Sequence, residues 1–200
     1  MPAAFFCPSK RARTQQRRPL QPGLRRWLNA TGSLTARLQA ACGPVQVLAL
    51  DQGSAPLRAE ERAALAGTAA RPGSHRGHVR EVILCAGGVP LVYARSVLDT
   101  GHARLHWKAV RGLGGRPLAD VLFGTRAVRR SALQLSHHAP RQPFTRHIAR
   151  QWLAATGAPL PARALWARSS VFTRAGMPLR VMEVMLTQLG RHVTAKQPPG

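Results

Sequence analysis

Residues 79–98, VREVILCAGGVPLVYARSVL, constrain the fold most. Two runs dominated by Val, Ile, Leu and Tyr flank Gly87-Gly88, and glycine accepts the positive φ that a tight hairpin turn demands. The stretch therefore predicts two antiparallel strands. Alternation along a strand puts Arg80 on one face with Val82 and Leu84. A permanent cation on an apolar face needs an anionic partner, and the chain has only seven Asp and Glu to offer.

A chain of 200 residues, 44% of them hydrophobic, predicts one globular domain with a sizeable core. No apolar run reaches the length of a membrane span. The longest apolar piece near the start, Ala3-Ala4-Phe5-Phe6-Cys7, is too short for the core of a secretory signal. Cys7, Cys42 and Cys85 are odd in number and far apart, which argues against a disulfide framework or a zinc site. Reduced thiols and a cytoplasmic location are the expectation.

The formal charge of +23 is almost all arginine, because only Lys10, Lys108 and Lys196 are lysines. Arginine neutralises phosphates, so nucleic acid is one partner class to weigh. Here the arginines are scattered and aromatic residues make up only 5% of the chain, which is poor for base stacking. Solvated arginines, or a positive field that captures an anionic small molecule, account for the charge better.

Along the chain, residues 1–22 read as a basic, proline-containing tail, 23–190 as the folded domain and 191–200 as a polar tail. Helices are predicted over 24–41 (two, with Thr31 or Ser33 as the second cap), 56–66, 116–123 and 144–156, with a turn or two at 102–110. Strands are predicted over 45–50, in the hairpin, over 127–135, and in a closing hairpin of 165–173 and 179–186 around Gly176. Helices first and hairpins later argue for an α+β fold: a single antiparallel β-sheet with helices packed on one side.

Glu183 is the sharpest candidate for chemistry. It is the only acidic residue after Asp120 and stands within PLRVMEVML, on one strand face with Leu179, Val181 and Met185. A lone carboxylate there is costly unless paired. Its bland explanation is a buried ion pair with Arg80 or Arg95 that merely fixes strand order. Arg80 and Arg95 are the matching cations, able to fork a carboxylate, although pairing with Glu81, Asp99 or Glu183 explains Arg95 better. His102 and His106 have helical i, i+4 spacing but no Glu or Cys nearby to complete a metal site. His137-His138 reads as a surface pair, and Ser169-Ser170 lack a paired base.

With these residues in view, the chain resembles the chorismate lyase family. The matching blocks occur in family order: GSLTARLQ at 32–39, the hairpin, LGGRPLADVLF at 113–123, and ALWARSSVFTRAGMPLRVMEVML at 164–186. The resemblance implies an antiparallel sheet of about six strands. It assigns carboxylate binding to Arg80, the acid near the ring hydroxyl to Glu183, and further substrate contacts to Leu118 and to Leu34, where the family usually has methionine. Residues 138–160 look like an insertion between strands, and the basic N-terminal tail has no family counterpart. The implied activity is elimination of pyruvate from chorismate to give 4-hydroxybenzoate, the first step of ubiquinone biosynthesis. No metal or redox cofactor is implied, and the expected state is a monomer whose partners are chorismate and 4-hydroxybenzoate, with no nucleic acid. Two competing readings are a non-catalytic module of the same fold that senses an aromatic carboxylate, and a basic nucleic-acid-binding protein.

Overall fold

The computed structural model describes residues 20–66, 75–124, 127–162 and 164–192. Most of the expected tails, at 1–19 and 193–200, lies outside the described residues. Pro22 already opens the first helix, α1 (Pro22–Asn29), where its missing N–H costs nothing. α2 (Leu34–Cys42) follows, with the Ser33 hydroxyl accepting the Ala36 N–H at 3.2 Å.

The central hairpin forms as expected from β2 (Arg76–Ala86) and β3 (Val89–Leu98). Gly87 and Gly88 both take positive φ, 56° and 77°. β1 (Val45–Pro56) runs twice as far as the expected 45–50, because a register irregularity after Ala49 lets it keep pairing along the whole of β2. Pro56 therefore ends a strand and does not open a helix. The helix begins later, as α3 (Ala59–Leu65), its start fixed by Glu61 accepting the Arg58 backbone N–H at 2.9 Å.

After the hairpin come three short helices, α4 (Thr100–Arg104), α5 (Lys108–Arg111) and α6 (Ala119–Phe123). His102 lies on α4 while His106 falls between α4 and α5, so the two share no helix face. The strand expected over 127–135 is broken into β4 (Val128–Arg130) and β5 (Gln134–His138). The register on β6 shifts by one residue between them, and at the break the Ser131 hydroxyl accepts the Val171 N–H at 2.9 Å. α7 (Pro143–Thr156) occupies the segment read as an insertion and stops at Gly157, φ 68°. The closing hairpin, β6 (Leu165–Arg174) and β7 (Met177–Met185), runs into a 3-10 turn at Thr187–Arg191.

All seven strands form one antiparallel sheet in the order β1-β2-β3-β7-β6-β4, with β5 also on β6. β4 pairs with the far end of β6 and β5 with its near end, so the strands fill six positions.

Both faces are covered, not one. Leu24, Trp27 and Leu28 of α1 and Leu34 and Leu38 of α2 pack with Val82, Leu84, Val92 and Met185. Ile148 and Trp152 of α7 pack on the reverse face with Ile83, Tyr93, Met182 and Val184. Period-two alternation in β2, β3 and β7 sends apolar side chains both ways, so the sheet buries both surfaces and needs helices on each. α1 approaches the final 3-10 turn so closely that a Cβ on Gly23 would sit 1.9 Å from the Gly190 carbonyl oxygen.

Candidate active site

On the face covered by α1, α2 and α6, two neighbouring rows cross the sheet. One row is Arg80, Ser96, Val181 and Ser170; the other is Val82, Ala94, Glu183 and Arg168. Arg80 and Glu183 are thus separated by two strand spacings and one row, about 10 Å across and about 7 Å along. Between them lie Ala94 and Ser96, whose short side chains leave the space open. A six-membered ring with polar groups at opposite ends spans such a gap once both long side chains reach inward.

That space is a narrow cavity lined by all four residues singled out above: Leu34, Arg80, Leu118 and Glu183. Val82, Leu84, Ala94 and Val181 form its floor, while Leu34 and Thr35 of α2 and Ala119, Leu122 and Phe123 of α6 form its roof. Its volume is about 50 Å³, room for a few waters. A larger depression of about 730 Å³ lies beside it, near Gln52, His78, Arg104 and Arg111. It is open to solvent and has no carboxylate in its lining, so the enclosed cavity is the better candidate.

Arg80 is 3% exposed. Its Nη2 donates to the carbonyl oxygens of Gly114 and Arg116, each at 2.8 Å, but its Nε is buried without a hydrogen-bond partner. No ion pair with Arg80 occurs among the described residues. Burial accordingly lowers its pKa, because the cation has lost water and gained no counter-charge. Gly114 takes φ 50°, which lets the loop before α6 turn its carbonyl toward the guanidinium. The Ser96 hydroxyl, directly across the ladder from Arg80, is likewise buried and unpartnered.

Glu183 pairs with neither Arg80 nor Arg95, contrary to the ion pair considered from the sequence. Its Oε2 accepts the Nε–H of Arg168 at 2.6 Å. Arg168, 1% exposed, also donates through Nη1 to the carbonyls of Trp27 (3.1 Å) and Ala30. It thereby ties Glu183 to the end of α1. Oε1 of Glu183 takes no hydrogen bond from a described residue. Sequence reasoning missed Arg168, although counting outward from the two-residue turn at Ala175-Gly176 pairs Arg174 with Met177 and hence Arg168 with Glu183.

Arg95 belongs to the reverse face and has a structural role. Its Nε donates to Glu61 at 2.8 Å, its Nη1 pairs with Glu81, and His147 of α7 meets Glu81 at 2.9 Å. This cluster fastens α3 and α7 to the sheet. Leu34 opens α2 and is buried, and Leu118 precedes α6 and is half-buried.

Residues 10–193 match the family described as chorismate lyase. A protein of Albidiferax ferrireducens named probable chorismate pyruvate-lyase is 47% identical over 169 residues, covering 84% of each chain. One of the same name from Azoarcus sp. is 41% identical over 175 residues, 87% of this chain and 86% of its own. Among solved structures, the effector domain of PhnF from Mycobacterium smegmatis aligns with a TM-score of 0.52 at 14% identity, over 78% of this chain and 90% of its own. The C-terminal domain of the histidine utilization repressor from Pseudomonas syringae pv. tomato aligns with a TM-score of 0.50 at 8% identity, over 78% of this chain and 100% of its own. At such low identity these two speak to the fold alone.

Proposed function

Because the chain belongs to the chorismate lyase family, we propose that it eliminates pyruvate from chorismate to give 4-hydroxybenzoate, the entry step of ubiquinone synthesis. The observation that carries this reading is the pairing, within one cavity, of a buried arginine that has no carboxylate partner among the described residues with an acid two strands away.

Chorismate carries a ring carboxylate at C1 and a hydroxyl at C4, at opposite ends of the ring. In our reading Arg80 takes the ring carboxylate through its unpartnered Nε, with the Ser96 hydroxyl beside it. Burial that lowers the arginine's pKa raises its affinity for an anion that restores the lost counter-charge. Glu183 accepts a hydrogen bond from the C4 hydroxyl through Oε1, while Arg168 holds Oε2.

The reaction is redox-neutral. The ether bond at C3 breaks, its electron pair leaving on the enolpyruvate oxygen. The hydrogen at C4 departs as a proton, and its bonding pair completes the aromatic ring. A proton then ends on the enolpyruvate methylene, giving pyruvate. Aromatisation supplies the driving force. The protein orients the ring, excludes water and stabilises the developing charge, with Glu183 next to the carbon that loses the proton. A pocket closed by α2 and α6 retains an aromatic product, which makes release a slow step. The protein works as a cytoplasmic monomer in this reading.

The test follows formation of 4-hydroxybenzoate by ultraviolet absorbance with purified protein and chorismate, comparing Arg80→Ala and Glu183→Gln with the parent. Turnover lost by a hundredfold or more in both folded variants supports the assignment. Absence of product from folded parent protein refutes the lyase. Full activity in Glu183→Gln leaves the lyase in place and removes the acid from the chemistry.

A further inference from the structure

The cavity holds a second arginine that the sequence did not single out. Arg130, the last residue of β4, lies across the ladder from Phe172 and lines the same space. Its guanidinium stands 5.1 Å from the centre of the Phe172 ring. Nε donates to the Ser170 hydroxyl at 2.9 Å and Nη1 to the Gly32 carbonyl at 3.0 Å. Nη2 has no protein partner among the described residues. No carboxylate lies within ion-pair distance of Arg130 there. Among the described residues, Arg80, buried, and Arg130, half-buried, are therefore two cavity cations without an ion-pair partner, whereas the buried Arg95 and Arg168 have carboxylate partners.

Their placement is not symmetric about the acid. Ser170, which Arg130 grips, shares the cross-sheet row of Arg80 but lies three strands away, about 14 Å at the backbone. Burial lowers the Arg130 pKa, the Glu183 charge partly offsets this, and Arg168 adds to it. Burial alone acts on Arg80. Arg130 therefore belongs electrostatically to the Glu183 end of the cavity, opposite Arg80.

Chorismate differs from 4-hydroxybenzoate by a second carboxylate, carried on the enolpyruvyl ether at C3, next to the carbon that bears the hydroxyl. Resting on the lyase reading, we infer that Arg130 is the substrate-discriminating cation: it binds the enolpyruvyl carboxylate through Nη2, so that substrate engages two arginines and product one. When the ether bond breaks, that second carboxylate leaves with pyruvate. The product then keeps only the Arg80 and Glu183 contacts.

The test compares two inert or product ligands by calorimetry: 4-hydroxybenzoate, with one carboxylate, and 3-(carboxymethoxy)-4-hydroxybenzoate, which adds a second at the substrate position. Parent, Arg130→Met and Arg130→Gln proteins are measured, and melting curves confirm folding. Gln keeps a donor for the Ser170 hydroxyl, so it tests loss of charge even if Met disturbs the fold. The expected result is at least a thirtyfold loss of affinity for the dicarboxylate in each folded variant, with affinity for 4-hydroxybenzoate within threefold of the parent. Arg130→Lys retains most of the dicarboxylate affinity. Equal loss of both ligands, or no change in either, overturns the inference. The two readings fail separately: a parent that gives no product but shows the selective Arg130 effect loses the lyase and keeps the second grip. A parent that turns over chorismate while its Gln variant binds both ligands normally loses the grip and keeps the lyase.

Discussion

Arg80 and Glu183 stand on the same face of the sheet, two strands and one row apart, and among the described residues Glu183 has a counter-charge while Arg80 has none. On the proposed function, this asymmetry makes the Arg168–Glu183 pair matter for stability and Arg80 for the ligand.

Replacing Arg80 removes a cation that has no ion-pair partner among the described residues, at the loss of two hydrogen bonds to backbone carbonyls. Arg80→Met should therefore leave folding stability within about 1 kcal/mol of the parent while abolishing ligand binding. Arg95→Met strands Glu61 and Glu81 and should cost about 3–5 kcal/mol. Urea denaturation of the two variants checks this; equal destabilisation would make Arg80 a structural residue.

Arg168→Met leaves the Glu183 carboxylate without its partner and frees the carbonyls of Trp27 and Ala30. A loss of about 3–5 kcal/mol is expected, together with weakened binding of 4-hydroxybenzoate. The double variant Arg168→Met/Glu183→Leu should recover much of the stability and none of the binding. A double-mutant cycle in urea, run beside ligand titration, measures both.

Acid should act through the reverse face. Burial pushes the Glu61 carboxyl up, but hydrogen bonds and charge from Arg95 and Arg58 outweigh it and hold the group at about 2, below its ordinary 4.5. A depressed folded-state value means this stabilisation is complete above about 4.5 and is lost as pH falls from there toward about 2. Glu81 shifts the same way, with His147 and Arg95 overcoming the opposing effect of burial. Stability of the parent should fall steeply across that window. Glu61→Gln should be weaker near neutrality but flatter with pH. Urea midpoints measured from pH 6 downward test the slope.

Gly23→Ala drives a methyl into the Gly190 carbonyl oxygen, 1.9 Å away, and must push α1 off the closing 3-10 turn. Overpacking of this kind costs about 1–3 kcal/mol. Because α1 carries the carbonyls that hold Arg168, ligand affinity should fall as well, although Gly23 is absent from the cavity lining. A lowered melting temperature with unchanged affinity would show that α1 does not support the site.

The sequence by itself determined whatever depends on near neighbours. The Gly-Gly turn and the late clustering of strands gave the α+β class and the central hairpin, and alternation gave the strand neighbours of Arg80 and Glu183. Boundaries failed where a distant group decided them. The strand expected over 127–135 splits where its register on β6 shifts by one residue, and Pro56 ends a strand because all of β2 is there to pair with β1. Only the tertiary structure decided which charges meet. Glu61 reaches Arg95 across 34 residues, and Arg130 reaches the Gly32 carbonyl across 98. Such contacts have no local period to betray them. They exist because closing the sheet and docking helices on both faces buries charges together, and each must then find a partner or wait for a ligand.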